Sequence, residues 1–174
     1  MQLAHEIRNI LKRDRTTAIL VTHDQREAFA IADQIGVLNS GKLHQWDTAY
    51  SLYHRPADKF VAKFIGEGAF VRARVVSNTT LDSALGKVSG QFGDLETDTE
   101  VDLLVRPEDI SYAEDSTLKG ELIEKDFRGA EHRYTLRMPD DSLLLCIASG
   151  HHDHAIGDSI GICIAPQRAM VFRR

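Results

Sequence analysis

The side chains with the most chemistry to offer are histidines. His23 stands at the end of the apolar run Ala18-Ile19-Leu20-Val21-Thr22, followed by Asp24 and a helical pattern. A continuous run of branched apolar residues reads as a strand covered on both faces, as in a parallel sheet. Ligands of open α/β sheets sit just outside such strand ends. A histidine at that point can engage a bound ligand, or it can simply cap local backbone groups. The densest cluster is His151, His152 and His154 with Asp153. Neutral imidazoles with a carboxylate could bind a transition metal and make a sensing module; the alternative is a solvated loop between two strands. On an extended segment His152 and His154 share a face and His151 does not. Arg106-Pro107-Glu108 reads as a strand end with a rigid turn and a surface ion pair rather than a catalytic group. Lys87, Arg72 and Arg74 are the nearest basic candidates should the second half of the chain bind a small oxyanion.

Composition narrows the choices. The 174 residues are 43% hydrophobic, enough for one ordinary core or two small ones, and two small domains is the reading that follows from the patterns below. The net charge of -5 and the lack of a basic stripe argue against a nucleic-acid partner, because phosphate binding rests on clustered Lys and Arg. Cys146 and Cys163 both lie in apolar runs, which suits small buried thiols in a reducing compartment, with a disulfide between them left open. No stretch approaches the roughly 20 apolar residues of a membrane span, and the N-terminus does not read as a signal peptide. The expectation is a soluble chain that meets membranes through partners.

Two textures follow one another. In residues 1–66, Leu3, Ile7, Ile10 and Leu11 mark an amphipathic helix, the apolar run before His23 marks a strand, and Asp24 can cap a helix lined by Ala28, Ile31 and Ala32. A hairpin is expected across Asn39-Ser40-Gly41-Lys42. Two short helices come next, one opened by Asp47 or Thr48 and stopped before Pro56, the other carrying Phe60, Val61, Phe64 and Ile65 and ended by Gly66. This part offers its covered strand no partner except the hairpin. By layer logic it reads as the α/β tail of a larger domain whose first strands lie upstream of Met1, and in isolation it is expected to pair with another copy or to be poorly ordered. From residue 67 to 174 short alternating strands predict a small β-barrel or sandwich. An echo runs through it at an offset of 59 residues: Val101-Asp102-Leu103-Leu104-Val105-Arg106-Pro107 against Ile160-Gly161-Ile162-Cys163-Ile164-Ala165-Pro166, each continuing to an aromatic, Tyr112 or Phe172. Two related half-units are expected.

The stretch Ile19-Leu20-Val21-Thr22-His23-Asp24-Gln25-Arg26-Glu27-Ala28 resembles the switch-histidine region of ABC-transporter ATPases. The resemblance continues through Asp33-Gln34-Ile35-Gly36-Val37-Leu38, Ser40-Gly41-Lys42-Leu43, Leu52-Tyr53-His54-Arg55-Pro56 and Phe60-Val61-Ala62-Lys63-Phe64-Ile65-Gly66. It implies a remnant of a P-loop ATPase domain over residues 1–66, with His23 contacting the γ-phosphate and the attacking water. Residues 67–174 resemble TOBE, the OB-like accessory barrel of importer ATPases. This likeness rests on Leu104-Val105-Arg106-Pro107-Glu108-Asp109-Ile110, Phe127-Arg128-Gly129 and Gly157-Asp158-Ser159-Ile160. The junction Phe64-Ile65-Gly66-Glu67-Gly68 is most similar to ferric-iron importers, with sulfate, polyamine and phosphonate relatives as alternatives. The family implies ATP and Mg²⁺ as cofactors of the full-length protein, a second ATPase copy and membrane permease subunits as partners, and a place on the inner face of the bacterial inner membrane. There is no G-x-x-x-x-G-K-[ST] loop, magnesium-binding acidic strand end or signature motif in the chain, so it is not expected to hydrolyse ATP alone.

Overall fold

The structure is a computed structural model that describes residues 2–93, 95–166 and 169–174. The chain divides into two compact units, Met1–Gly66 and Glu67–Arg174.

The first unit opens with α1 (Gln2–Arg13) and α2 (Gln25–Ile31). Asp33 ties α1 down, accepting from Lys12 and from Arg8 at 2.8 Å, and these two cations hold its carboxyl below the usual range. The Asp24 carboxylate accepts from the backbone N–H groups of Arg26 at 2.7 Å and Glu27 at 3.2 Å, filling the capping role expected of it. Strands β1 (Ile35–Asn39) and β2 (Lys42–Asp47) form the expected hairpin. Its turn residues Ser40 and Gly41 both have positive φ, the backbone twist that a two-residue hairpin turn demands. Thr48 caps α3 (Ala49–His54) and Asp58 caps α4 (Lys59–Ile65). Val37, Leu52, Val61 and Ile65 make a small core.

The run Ala18–Thr22 is not a strand, which corrects the α/β expectation. Ile19 and Val21 are 92% and 93% exposed. A strand exists only through its ladder, and the sole sheet among the described residues of this unit is the β1–β2 hairpin. The apolar stripe of α1 meets the same fate, with Leu3, Ile7 and Ile10 exposed. The P-loop layer of parallel strands and helices is therefore not evident; the unit is short helices around a hairpin.

The second unit completes itself. Its strands are β3 (Ala69–Ser77), β4 (Thr80–Ser83), β5 (Gly86–Ser89), β6 (Glu100–Val105), β7 (Ile110–Tyr112), β8 (Lys119–Phe127), β9 (Glu131–Arg137), β10 (Leu143–Ser149), β11 (Ser159–Ile164) and β12 (Met170–Arg173). They form two five-stranded sheets, β12-β6-β3-β4-β5 and β7-β11-β8-β9-β10, around one core in a nearly closed barrel. The two orders are the same order. Each half contributes a three-stranded meander and a fourth strand that returns beside the first, then lends its last strand to the other half.

The 59-residue echo survives in the hydrogen-bond register. Leu103 faces Val171, and Ile162, 59 residues on from Leu103, faces Tyr112, 59 residues back from Val171. Leu104–Met170 and Cys163–Ser111 correspond in the same way. Within β3 the alternation is regular: Val71, Ala73 and Val75 point into the core while Arg72 and Arg74 point out.

Candidate functional site

His23 sits on the bend before α2 with its side chain in solvent. Around it Thr22 Oγ1 donates to Glu27 at 3.0 Å and accepts from the Asp24 N–H at 3.0 Å, so the segment is pinned by its neighbours. Among the described residues no hydrogen bond fixes the His23 ring. The hollow beside it, lined by His23, Gln25, Ala28, Phe29, Gly36 and Phe64 among others, holds about 50 Å³, room for a water or two and far too little for a nucleotide. The structure thus presents His23 as an exposed, unengaged imidazole at the start of a capped helix. The strand meant to aim it is unformed.

The histidine cluster is better organised. His152 and His154 lie with nearly parallel rings 6.2 Å apart, both against Tyr112 at 4.8 and 5.3 Å. His151 has no place in that stack, as the alternation argument expected. The fully buried Tyr134 anchors the loop, its hydroxyl donating to the His152 carbonyl and accepting from the His154 N–H at 3.4 Å. Lys125 Nζ donates to Asp153 at 2.6 Å and to the His154 carbonyl at 2.8 Å. The lysine holds the Asp153 carboxyl below its ordinary range, and the carboxylate in turn raises the lysine's affinity for its proton. Among the described residues no three His, Cys, Asp or Glu side chains converge as metal ligands. Stacking and backbone anchoring account for the cluster, and the metal-sensor alternative gains no support.

The other candidates separate. Arg106 is not at the surface: it is buried, and its Nη1 donates to the Glu67 carbonyl at 2.9 Å. The rigid turn is there, a 3₁₀ turn over Pro107–Asp109 in which the Asp109 carboxylate accepts from the Arg106 N–H. Arg74 and Lys87 both stand in register with Asp82, and Arg72 with Asp102, on outward-facing positions of the sheet. Carboxylates already neighbour each of these cations, so they do not form an oxyanion pocket. Cys146 is buried, and burial pushes its thiol up to about 11. Cys163 is exposed, which corrects the reading of both as buried; the two are free thiols.

Sequence reasoning passed over one polar pair. His44 Nδ1 lies 2.6 Å from Asp58 Oδ2, with the ring packed on Phe60. Burial works against the Asp58 charge, yet the bonds from His44 and the Val61 amide outweigh it and keep the carboxyl below its usual range. An Asp immediately before the helical run starting at Lys59 was the available signal for the cap; nothing in the sequence pointed to His44.

The duplicated barrel defines the class of the second unit: it is a TOBE domain, and residues 103–172 match that family. Over nearly its whole length the chain is similar to ATP-binding subunits of spermidine/putrescine importers. The protein PotA of Clostridium acetobutylicum is 34% identical over 100% of this chain and 49% of its own length. That of Haemophilus influenzae is 30% identical over 92% of this chain and 48% of its own. The chain spans about half the length of the curated relatives it matches. Among solved structures, the cytoplasmic molybdate-binding protein ModG superposes with a TM-score of 0.51 at 12% identity, covering 61% of this chain and 96% of that one, a likeness of fold alone. The relatives carry spermidine and putrescine in their names, so the ferric-iron reading of Phe64–Gly68 is not supported.

Proposed function

We propose that this chain works as the C-terminal, regulatory part of the ATP-hydrolysing subunit of an importer, with polyamines as the solute class. The observation that carries the reading is the similarity to spermidine/putrescine import ATP-binding proteins across the whole chain, through both units. The exposed apolar run before His23 supports it. Residues 92% and 93% exposed at alternate positions fit a strand that is covered when a P-loop domain places a strand on either side.

In that assembly the His23 imidazole, unengaged and next to a capped helix, is the group of this chain that reaches the γ-phosphate and orients water. Phosphoryl transfer relies on such positioning and charge stabilisation rather than on covalent chemistry by the protein. ATP and Mg²⁺ do not fit the residues of this chain alone: the hollow beside His23 is about 50 Å³, and no phosphate-cradling loop is present in the sequence. Bound elsewhere in the assembly, they supply the phosphoryl group and its charge neutralisation. The partners are a second ATPase copy and the membrane permease, and the working place is the cytoplasmic face of the membrane. Among the described residues no helix is long and apolar enough to cross a membrane.

The test is His23→Ala in a complete subunit carrying this sequence. ATP binding should persist while turnover falls by about 10²-fold or more. Turnover equal to the parent's would refute the role given to His23.

A further inference from the structure

Glu67, the first residue of the β unit, is gripped from more than one side. Its carbonyl accepts from the buried Arg106 guanidinium at 2.9 Å, and its carboxylate pairs with Arg133. The next residue is confined as well: a Cβ on Gly68 would lie 3.0 Å from the Val105 carbonyl oxygen and 3.1 Å from Leu104. Only at Ala69 does the β3 ladder begin, opposite Val105. Native contacts therefore extend two residues upstream of the strand. Arg106 follows β6 in one half-unit, whereas Arg133 lies on β9 in the other. A single residue is thus fastened to both halves of the barrel.

We propose that Glu67 is the anchor of the β unit, and that Arg106 and Arg133 are positioning residues that place the pivot between the two units at Gly66. Force arriving along the chain then loads both half-units at once, because the guanidinium of one half and that of the other hold the same residue. Without the grip, the flexible stretch would run on through Gly68 to the start of the ladder, and force would reach β3 alone. The Arg106-Pro107-Glu108 motif thereby acquires a mechanical role, since the turn at Pro107 ends β6 with the arginine folded back onto the incoming chain. This joint is independent of nucleotide chemistry and would be present whatever His23 does.

Backbone ¹⁵N relaxation on the intact chain tests it. Glu67 and Gly68 should show order parameters like those of β3, about 0.85 for rigid backbone, with the drop at Gly66. Arg133→Gln and Glu67→Gln should move the drop to Ala69 while leaving the melting of the β unit unchanged, and Arg133→Lys, which keeps the ion pair, should restore the parent profile. Arg106→Met is the less useful variant, since removing a buried guanidinium can unfold the domain. Glu67 and Gly68 as mobile as Gly66 in the parent, no drop between Ile65 and Ala69, or a profile unchanged by Arg133→Gln would each overturn the proposal.

Discussion

The two units bury their apolar residues with unequal success. The β unit closes two sheets over one core in which Leu122, Tyr134, Leu136, Leu144 and Ile162 are wholly inaccessible to water. The first unit gathers four buried core residues while Leu3, Ile10, Ile19, Val21, Trp46 and Tyr50 face solvent. Both sequences are apolar enough for a core. What differs is where their partners lie: β3 finds β4 and β6 within forty residues of chain, whereas the run before His23 finds no strand to pair with. A barrel built from an internal duplication supplies its own complement, because each half lends the strand that the other needs.

The sharpest way to break this contrast is to cut one apolar residue in each unit. Leu122→Ala should destabilise the β unit by about 2–5 kcal/mol in urea unfolding, as buried leucines do elsewhere. Ile19→Ser should stay within about 0.5 kcal/mol, because the side chain is already in water. A comparable loss in both variants would mean that the apolar run is packed after all. Next in size is Tyr134→Phe, which removes the hydroxyl holding the His152 carbonyl and should cost about 1–2 kcal/mol, with faster amide exchange across residues 150–155. Asp58→Ala removes both the α4 cap and the His44 partner, for about 1 kcal/mol in the first unit alone, visible as a lower first transition in thermal unfolding.

Titration separates the units more gently. Asp58 has its pKa depressed in the folded chain, so its contribution is present above the unfolded value near 3.8 and is lost as pH falls through the lower folded value. Cys146 moves the other way. Its thiol is neutral in both states below about 9.0; above that the unfolded chain loses the proton while the folded one keeps it to about 11. The β unit should therefore lose stability as pH rises from 9 toward 11, and Cys146→Ala should flatten that slope in a pH series of melting curves. Thiol reagents should label Cys163 in the native chain and reach Cys146 only on unfolding.

Much of this was legible in the residues, and the exceptions have physical causes. Capping by Asp24 and Thr48, the turn at Ser40-Gly41 and the long strands β3, β6, β8, β9, β10 and β11 all follow from local chemistry that tertiary context left intact. The strands β4, β5, β7 and β12 were missed because three or four residues such as Thr80–Ser83 carry no period to read. The offset of 59 was readable, but the exchange of last strands between halves was not, since a repeat says nothing about which copy it pairs with. The run Ala18–Thr22 failed in the opposite sense: its pattern is that of a buried strand, and a pattern specifies a fold only when the complementary surface is there. At the candidate sites, the shared face of His152 and His154 was visible from alternation, while the burial of Arg106 against Glu67 depends on residues 39 apart and left no local trace.

Hydrogen exchange by mass spectrometry on the intact chain tests the central contrast most directly. Amides of Val101–Val105, in the middle of a five-stranded sheet, should be protected to near the global unfolding free energy, while those of Ala18–Val21 exchange at almost the rate of an unstructured peptide. Protection of Ala18–Val21 equal to that of Val101–Val105 would contradict the account, for it would mean that the apolar run already has the neighbours this structure denies it.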